Sequence, residues 1–313
     1  MEYLKINRDW RETKTFVKAE GTWREINESY VKVNGEWQIL TDPDIPRSLI
    51  VFNNSSTGTT GSIQTWTVPA TGVYRIRSFG AQGGGNGSSN SNYGAFSSGE
   101  FYLEKGERVD ILVGQRGSIT RTRTSWRFWG WWSWGQWRRR HWNNYHIGGG
   151  GGTFVVKGVF SNASFSDILV IAGGGGGIVS GNYDYSAGGN TWTSGRSGTH
   201  TTRGTGGSDG RNGNAVRGGK GFASTKANPN GICCSSYGGG GGYGGGGGVV
   251  GGWWNRAGGG GGYSGGGAGG RTNGGHVAGG GGGTISRGAN PVRRSNVKSG
   301  HGRVEIEYIR RFF

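Results

Sequence analysis

Ile168-Leu169-Val170-Ile171-Ala172-Gly173-Gly174-Gly175-Gly176-Gly177 sets a strand-like apolar segment directly against a run of five glycines. The same five-residue unit recurs at Gly148 to Gly152, Gly238 to Gly242, Gly244 to Gly248, Gly258 to Gly262 and Gly279 to Gly283. Glycine loses the most backbone entropy on ordering and has no side chain to bury in return. A segment of this composition ordinarily reads as a floppy spacer. Here the runs are regular in length, and each is followed by an aromatic or β-branched residue: Thr153, Ile178, Tyr243, Val249, Tyr263 or Thr284. That regularity points to close backbone packing. Polyproline-II-type helices have three residues per turn and no internal hydrogen bonds, so their N–H and C=O groups all point outward. Without side chains, such rods can lie side by side and bond to one another. The expectation is an ordered bundle of them, each run spanning roughly 15 Å at a rise of about 3.1 Å per residue.

The composition around these runs narrows the classes. The chain has 313 residues, 74 of them glycine, and 31% hydrophobic residues, which is lean for one conventional core of that size. Its only cysteines, Cys233 and Cys234, are adjacent and supply no disulfide framework. No apolar run resembles a signal peptide or a membrane span. The expectation is therefore a soluble product made in the cytoplasm of its host cell.

The net charge of +17 is unevenly spread. Residues 1–110 hold 12 Lys/Arg against 13 Asp/Glu, residues 111–303 hold 21 against 3, and the last ten hold two of each. The excess lies on the glycine-rich part, where it favours a polyanionic partner such as an anionic glycan or lipid headgroup. Simple solubility of a surface poor in side chains is the plainer alternative.

The first 42 residues contain a threefold repeat: Tyr3 to Trp10, Phe16 to Trp23 and Tyr30 to Trp37, each aromatic, aliphatic, Lys, turn, Trp. Asn34-Gly35 is a strong hairpin-turn signal. Each unit reads as a small hairpin that must stack on its neighbours or on another subunit. Residues 43–47, around Pro43 and Pro46, read as a stiff linker. Beyond it, Val73-Tyr74-Arg75-Ile76-Arg77-Ser78-Phe79 alternates with period two, a Lys105-Gly106-Glu107 turn joins two strand-like segments, and Arg303 to Ile309 forms a closing strand. No segment has convincing helical periodicity, so the fold class is all-β.

The order of motifs resembles a known family. Trp66-Thr67-Val68-Pro69-Ala70-Thr71-Gly72-Val73-Tyr74, Gly80-Ala81-Gln82-Gly83-Gly84, Gly94-Ala95, Leu103-Glu104-Lys105-Gly106-Glu107, Val113-Gly114-Gln115-Arg116-Gly117, Gly149 to Phe154, Leu169 to Gly177 and Gly300-His301-Gly302-Arg303-Val304 carry it. They are similar to the glycine-rich domain of anaplastic-lymphoma-kinase-type receptors and related bacteriophage proteins. The resemblance spans roughly residues 47–313. It implies a tumour-necrosis-factor-like β-sandwich of jelly-roll type with an inserted bundle of polyglycine-II helices. On that reading residues 48–313 form the glycine-rich domain. Its core strands lie near 48–117, 153–172 and 303–310, and its loops and glycine rods at 118–152 and 173–302. Among relatives, the chain looks most like phage adhesins, which implies a virion location and a homotrimer. Residues 1–42 are similar to short Trp-containing repeats of phage structural proteins, so Trp10, Trp23 and Trp37 become candidates for docking onto other virion proteins.

The sharpest local anomaly is residues 126–142, which hold half of the 14 tryptophans. Trp126, Trp129, Trp131, Trp132, Trp134, Trp137 and Trp142 alternate there with Arg138, Arg139 and Arg140. Indole faces stack on sugars and cations, and arginines pair with phosphate or carboxylate in forked geometry. The segment therefore serves either as a receptor contact or as a packed apolar cluster against the domain or another subunit. Tyr183, Tyr185, Trp192, Trp253, Trp254 and Arg256 interrupt the glycine runs as polar-aromatic loops at a recognition tip.

Enzyme signatures fail. Lys220 is followed by Gly221 where a phosphate loop needs Ser or Thr. The histidines lack metal-ligand spacing, and Asp167, Asp184 and Asp209 form no obvious carboxylate pair. The expectation is a non-enzymatic phage fibre or adhesin without cofactor or metal, recognising a host-surface anionic glycan, lipopolysaccharide or outer-surface protein. A structural capsid or tail decoration protein is the alternative. An arginine–glycine nucleic-acid binder is disfavoured, since Arg217-Gly218-Gly219 is the only such triplet.

Overall fold

A computed structural model describes residues 49–85, 92–129, 137–179, 187–200, 202–214, 217–232, 240–249, 254–270 and 276–310, together with the backbone of six strands within residues 2–41. Backbone alone is described at 124–129, 137–142 and 310. The linker 43–47 and the Asn34-Gly35 turn lie outside the described residues.

The six N-terminal strands form three separate antiparallel pairs: Glu2–Ile6 with Asp9–Thr13, Phe16–Ala19 with Thr22–Glu25, and Ser29–Val33 with Glu36–Thr41. The register repeats with the sequence, because each unit sets a lysine opposite its tryptophan: Lys5 with Trp10, Lys18 with Trp23, Lys32 with Trp37.

Twelve further strands organise the remainder: β1 (Ile50–Asn53), β2 (Gln64–Thr67), β3 (Gly72–Phe79), β4 (Gly94–Leu103), β5 (Arg108–Leu112), β6 (Ile119–Trp129), β7 (Trp137–Ile147), β8 (Thr153–Lys157), β9 (Ile168–Ala172), β10 (Ile285–Ser286), β11 (Ala289–Lys298) and β12 (Arg303–Arg310). Two five-stranded antiparallel sheets result, in the orders β11-β4-β3-β12-β1 and β10-β9-β8-β5-β2. Trp66, Tyr74, Phe101, Leu103, Val109, Ile111, Val155, Val304 and Ile306 fill the space between them. The all-β sandwich is thus as expected. The β4–β5 turn uses Gly106 at φ 88°, with the Glu107 amide donating to the Glu104 carbonyl at 3.0 Å.

The central strands of the second sheet, β8 and β9, are buried on both faces, which explains the unbroken apolar run of β9. Val170 faces the sandwich interior, whereas Ile168 and Ile171 join Phe154, Phe160, Phe222 and Tyr243 in a second cluster on the opposite face. Burial pushes the Tyr243 phenol up to about 12. A strand wetted on one side alternates instead, and β3 does so: Tyr74 and Ile76 are buried, while Arg75 and Arg77 reach Glu100 and Glu307 on the outer face at 2.7 and 2.6 Å.

The glycine runs stand outside both sheets and bond to one another with a three-residue repeat. The amides of Gly148, Gly149 and Gly150 donate to three different neighbours, Ser118, Gly247 and Gly175. Those of Gly151 and Gly152 then return to the first two, at Gln115 and Gly244. The run from Gly258 repeats the rule: Gly258 and Gly261 donate to Ile147 and Gly150, while Gly259 and Gly262 donate to Arg217 and Lys220. Neither a strand, with period two, nor an α-helix, with period 3.6, distributes its amides this way. The spacing also fixes the residue type. A Cβ on Gly148, Gly173, Gly260 or Gly279 would lie nearer than 3.0 Å to a carbonyl of the adjoining run.

Three segments differ from the sequence expectation. Residues 118–152 were expected as loop and glycine rod, yet β6 and β7 form a long hairpin pairing Ile119 with Ile147 through to Trp129 with Trp137. Residues 289–298, also expected among loops and rods, form edge strand β11, whose polarity hid it because most of its side chains face solvent. Phe222–Ala227 is a six-residue α-helix, too short to show a period, held by Phe222 against Phe154 and Phe160.

Replacing Gly260 by Ala should lower stability by about 1–3 kcal/mol or more through overpacking, read as a fall in the thermal unfolding midpoint. Asp110 yields a second expectation. Burial alone would raise its carboxyl, but hydrogen bonds from Arg108, the Phe160 amide and Thr65 outweigh that and hold it below the ordinary carboxylate range. Its contribution is then present above the unfolded-state pKa and disappears as pH falls through the folded one. Acid titration of wild type against Asp110→Asn should show a stability gap at neutral pH that closes in acid.

Candidate functional site

The glycine runs share two ends. At one, Gly152 leads into β8, Gly173 follows β9 and Thr284 precedes β10, so this end is fused to the sandwich. At the other, Ile147, Val179, Ala257 and Val277 pack into a small apolar cluster. Strand pairs tie the chains emerging there: Ile178–Val179 with Val277–Ala278, and His146–Ile147 with Arg256–Ala257. This distal end roots the β6–β7 hairpin.

At the root, the Tyr145 amide donates to Asn255 Oδ1 at 2.9 Å, and both Asn255 and His146 are buried. His146 Nε2 lies 3.1 Å from Thr122 Oγ1, and the Arg121 guanidinium sits 6.0 Å from the Tyr145 ring centre. Counted from the root residues outward, each strand of the hairpin is eleven residues long, about 37 Å at strand rise. Its register sets Trp126 opposite Arg140, Arg127 opposite Arg139, Phe128 opposite Arg138, Trp129 opposite Trp137 and Thr124 opposite Trp142. Successive pairs alternate between the two faces of a ribbon. Each face therefore has both aromatic and cationic positions.

The structure unites some of the expected residues and separates others. Arg256 belongs to the hairpin root through its pairing with His146, and Trp254, 39% exposed, is its close neighbour in sequence. Trp192 stands apart. It is 73% exposed, but its carbonyl accepts from the Thr284 amide, placing it at the sandwich end and away from the distal loops. Its expected membership of one recognition tip is corrected accordingly. Spacing along the chain could not tell which end of a run a loop occupies. Trp131, Trp132, Trp134, Tyr183, Tyr185 and Trp253 lie outside the described residues.

Sequence reasoning missed the root residues Tyr145, His146 and Asn255. The alternation of Ile119-Thr120-Arg121-Thr122-Arg123 was the available strand signal.

Charge is segregated along the molecule. Glu100, Glu104, Glu107, Asp110, Glu305 and Glu307 belong to the sandwich, Asp167 precedes β9, and Asp209 adjoins Gly210 near Phe165. Between residues 49 and 310 no described carboxylate lies at the distal end, where Arg121 and Arg123 are exposed. Among the described residues no cluster of His, Cys, Asp and Glu could hold a metal ion, and no helix is long and apolar enough to cross a membrane.

No protein-family model matches the chain. One segment is similar to the leukocyte tyrosine kinase receptor of Mus musculus, with 36% identity over 86 residues. That segment is 27% of this chain and 10% of the receptor, so the match spans about a tenth of the curated relative's length. The likeness is to a receptor tyrosine kinase, and it carries no bacteriophage relationship.

Replacing Asn255 by Ala removes the Tyr145 amide's acceptor inside a buried root, a loss of about 1–3 kcal/mol. Hydrogen exchange at the 145–147 amides should accelerate while the amides of β9 keep their protection.

Proposed function

We propose that this protein is a non-enzymatic adhesin of a bacteriophage particle, binding an anionic host-surface glycan through the distal hairpin and its neighbouring loops. The observation that carries this reading is the pairing of aromatic with cationic positions along β6 and β7, on a projection rooted far from the carboxylates of the sandwich. Aromatic faces take sugar rings, arginines take phosphate or carboxylate, and an acid-poor distal end speeds encounter with a polyanion. Similarity to part of a receptor agrees with a binding role. The three-residue hydrogen-bond repeat supports reading the glycine runs as polyglycine-II rods, stiff enough to hold such a tip. The N-terminal hairpins are then the docking element toward other virion proteins, through Trp10, Trp23 and Trp37. The resemblance also implies a homotrimer.

Adsorption of particles, or binding of the purified chain to host cells, tests the assignment. Joint replacement of Trp126, Trp129 and Trp137 by Ser should abolish binding without lowering the melting midpoint. Unchanged adsorption by a folded variant would reject the hairpin as the contact. Wild-type binding should weaken as salt rises, because exposed charges are screened beyond about 10 Å at 0.1 M.

A further inference from the structure

The outer face of the first sheet carries a cleft of about 340 Å³ over the middle of β4. It exists because a small residue interrupts a row of long ones. Ser98 forms the floor between Phe96 and Glu100, while β3 raises Arg75 and Arg77 on one side and β11 raises Asn290, Val292 and Arg294 on the other. Strand pairing fixes these neighbours: Ser98 stands between Arg77 and Val292, and Phe96 between Phe79 and Arg294. The volume is that of a small-molecule site.

Its polar groups differ in how far they are already engaged. The Glu100 carboxylate is anchored, accepting from the Arg75 guanidinium at 2.7 Å on one oxygen and from the Asn290 side-chain amide at 2.9 Å on the other. A carboxylate has about four acceptor sites, so an anchored one still takes hydroxyl donors. Arg77 turns to Glu307 at 2.6 Å, and neither Glu305 nor Glu307 lines the cleft. Ser98 and Arg294 are unengaged. Among the described residues neither side chain makes a hydrogen bond, and Arg294 has no ion pair. Because Arg75 offsets Glu100, the cleft presents the Arg294 charge uncompensated.

We propose that this cleft binds an acidic sugar unit, with its carboxylate on Arg294 and its hydroxyls on Glu100 and Ser98. A guanidinium takes a carboxylate in forked geometry, and the anchored Glu100 at the other end accepts only from donors such as hydroxyls. Phe96, half-buried, and Val292, 44% exposed, offer apolar contact to the C–H face of a sugar ring. An acidic peptide fits this place less well. β3 and β11 already pair with both sides of β4, so an extended chain finds no main-chain partners on this face. The cleft belongs to the sandwich, and its occupancy stands independently of receptor recognition by the hairpin.

Titration of the isotope-labelled full chain with digalacturonate, followed by amide NMR, tests it. Saturable shifts should appear at residues 98–100 and 292–294. Arg294→Gln should weaken binding at these amides by about tenfold or more, because a charge-assisted pair is lost. Ser98→Ile should abolish it by filling the floor. Arg211→Gln removes an exposed charge in the glycine-rich region and should leave it unchanged. Neutral digalactose should bind about tenfold more weakly than digalacturonate, or worse. Melting midpoints equal to wild type establish that the variants are folded. Should Ser98→Ile cripple folding, Arg294→Gln on the exposed strand still decides. Shifts confined to β6 and β7, a folded Arg294→Gln variant that binds as the wild type does, or tetraglutamate binding as tightly at the same amides would overturn the inference.

Discussion

Backbone amides donating to the carbonyls of neighbouring glycine runs are the interaction on which the glycine-rich half depends. A conventional core gains by removing apolar side chains from water, which the runs do not have. Their gain comes from many modest hydrogen bonds formed where water is excluded. Those bonds require the runs to approach until no Cβ fits, as at Gly173 and Gly279. Glycine is therefore required by contact distance along most of the runs, and among the described run residues left-handed backbone occurs at Gly244 and Gly245, where the chain turns after Tyr243.

This lattice needs a fixed starting register, and the sandwich supplies it. β8 and β9 are doubly buried strands, and the runs from Gly148 and Gly173 adjoin their ends. Tyr243 interrupts two runs and inserts its ring among Leu112, Phe154 and Ile171. One side chain thus ties the backbone lattice to the oily core. At the far end a second, smaller apolar cluster gathers Ile147, Val179, Ala257 and Val277, so the hairpin and the distal loops start from a packed base.

The electrostatic arrangement follows the same division. On the outer face of the first sheet, arginines and carboxylates alternate: Arg75 with Glu100, Arg77 with Glu307, and Arg303 beside Glu305. These half-exposed pairs contribute little to stability individually, but they offset the charge of those arginines on that face. Among the described residues, the distal end has cations such as Arg121 and Arg123 and no carboxylate. The described carboxylates thus gather toward the sandwich end, and a hairpin rich in aromatic and arginine positions projects from the other.

The sequence by itself determined the all-β class, the N-terminal hairpin repeat, the β4–β5 turn at Gly106 and the need for close packing along the glycine runs. Each follows from a local property: period-two alternation, a turn that demands φ > 0, or a missing side chain. It also marked residues 126–142 as chemically unusual. Only the tertiary structure decided that residues 126–129 and 137–142 belong to a strand pair, since aromatic and arginine positions on both faces of a ribbon blur the alternation that identifies strands. Tertiary structure likewise decided that polar residues 289–298 pair with β4 and that Trp192 and Arg256 lie at opposite ends of the lattice. The physical reason is that runs three residues per turn and nearly identical in sequence specify how closely they pack, while which run neighbours which, and in what direction, is set by the strands and apolar clusters that hold their ends.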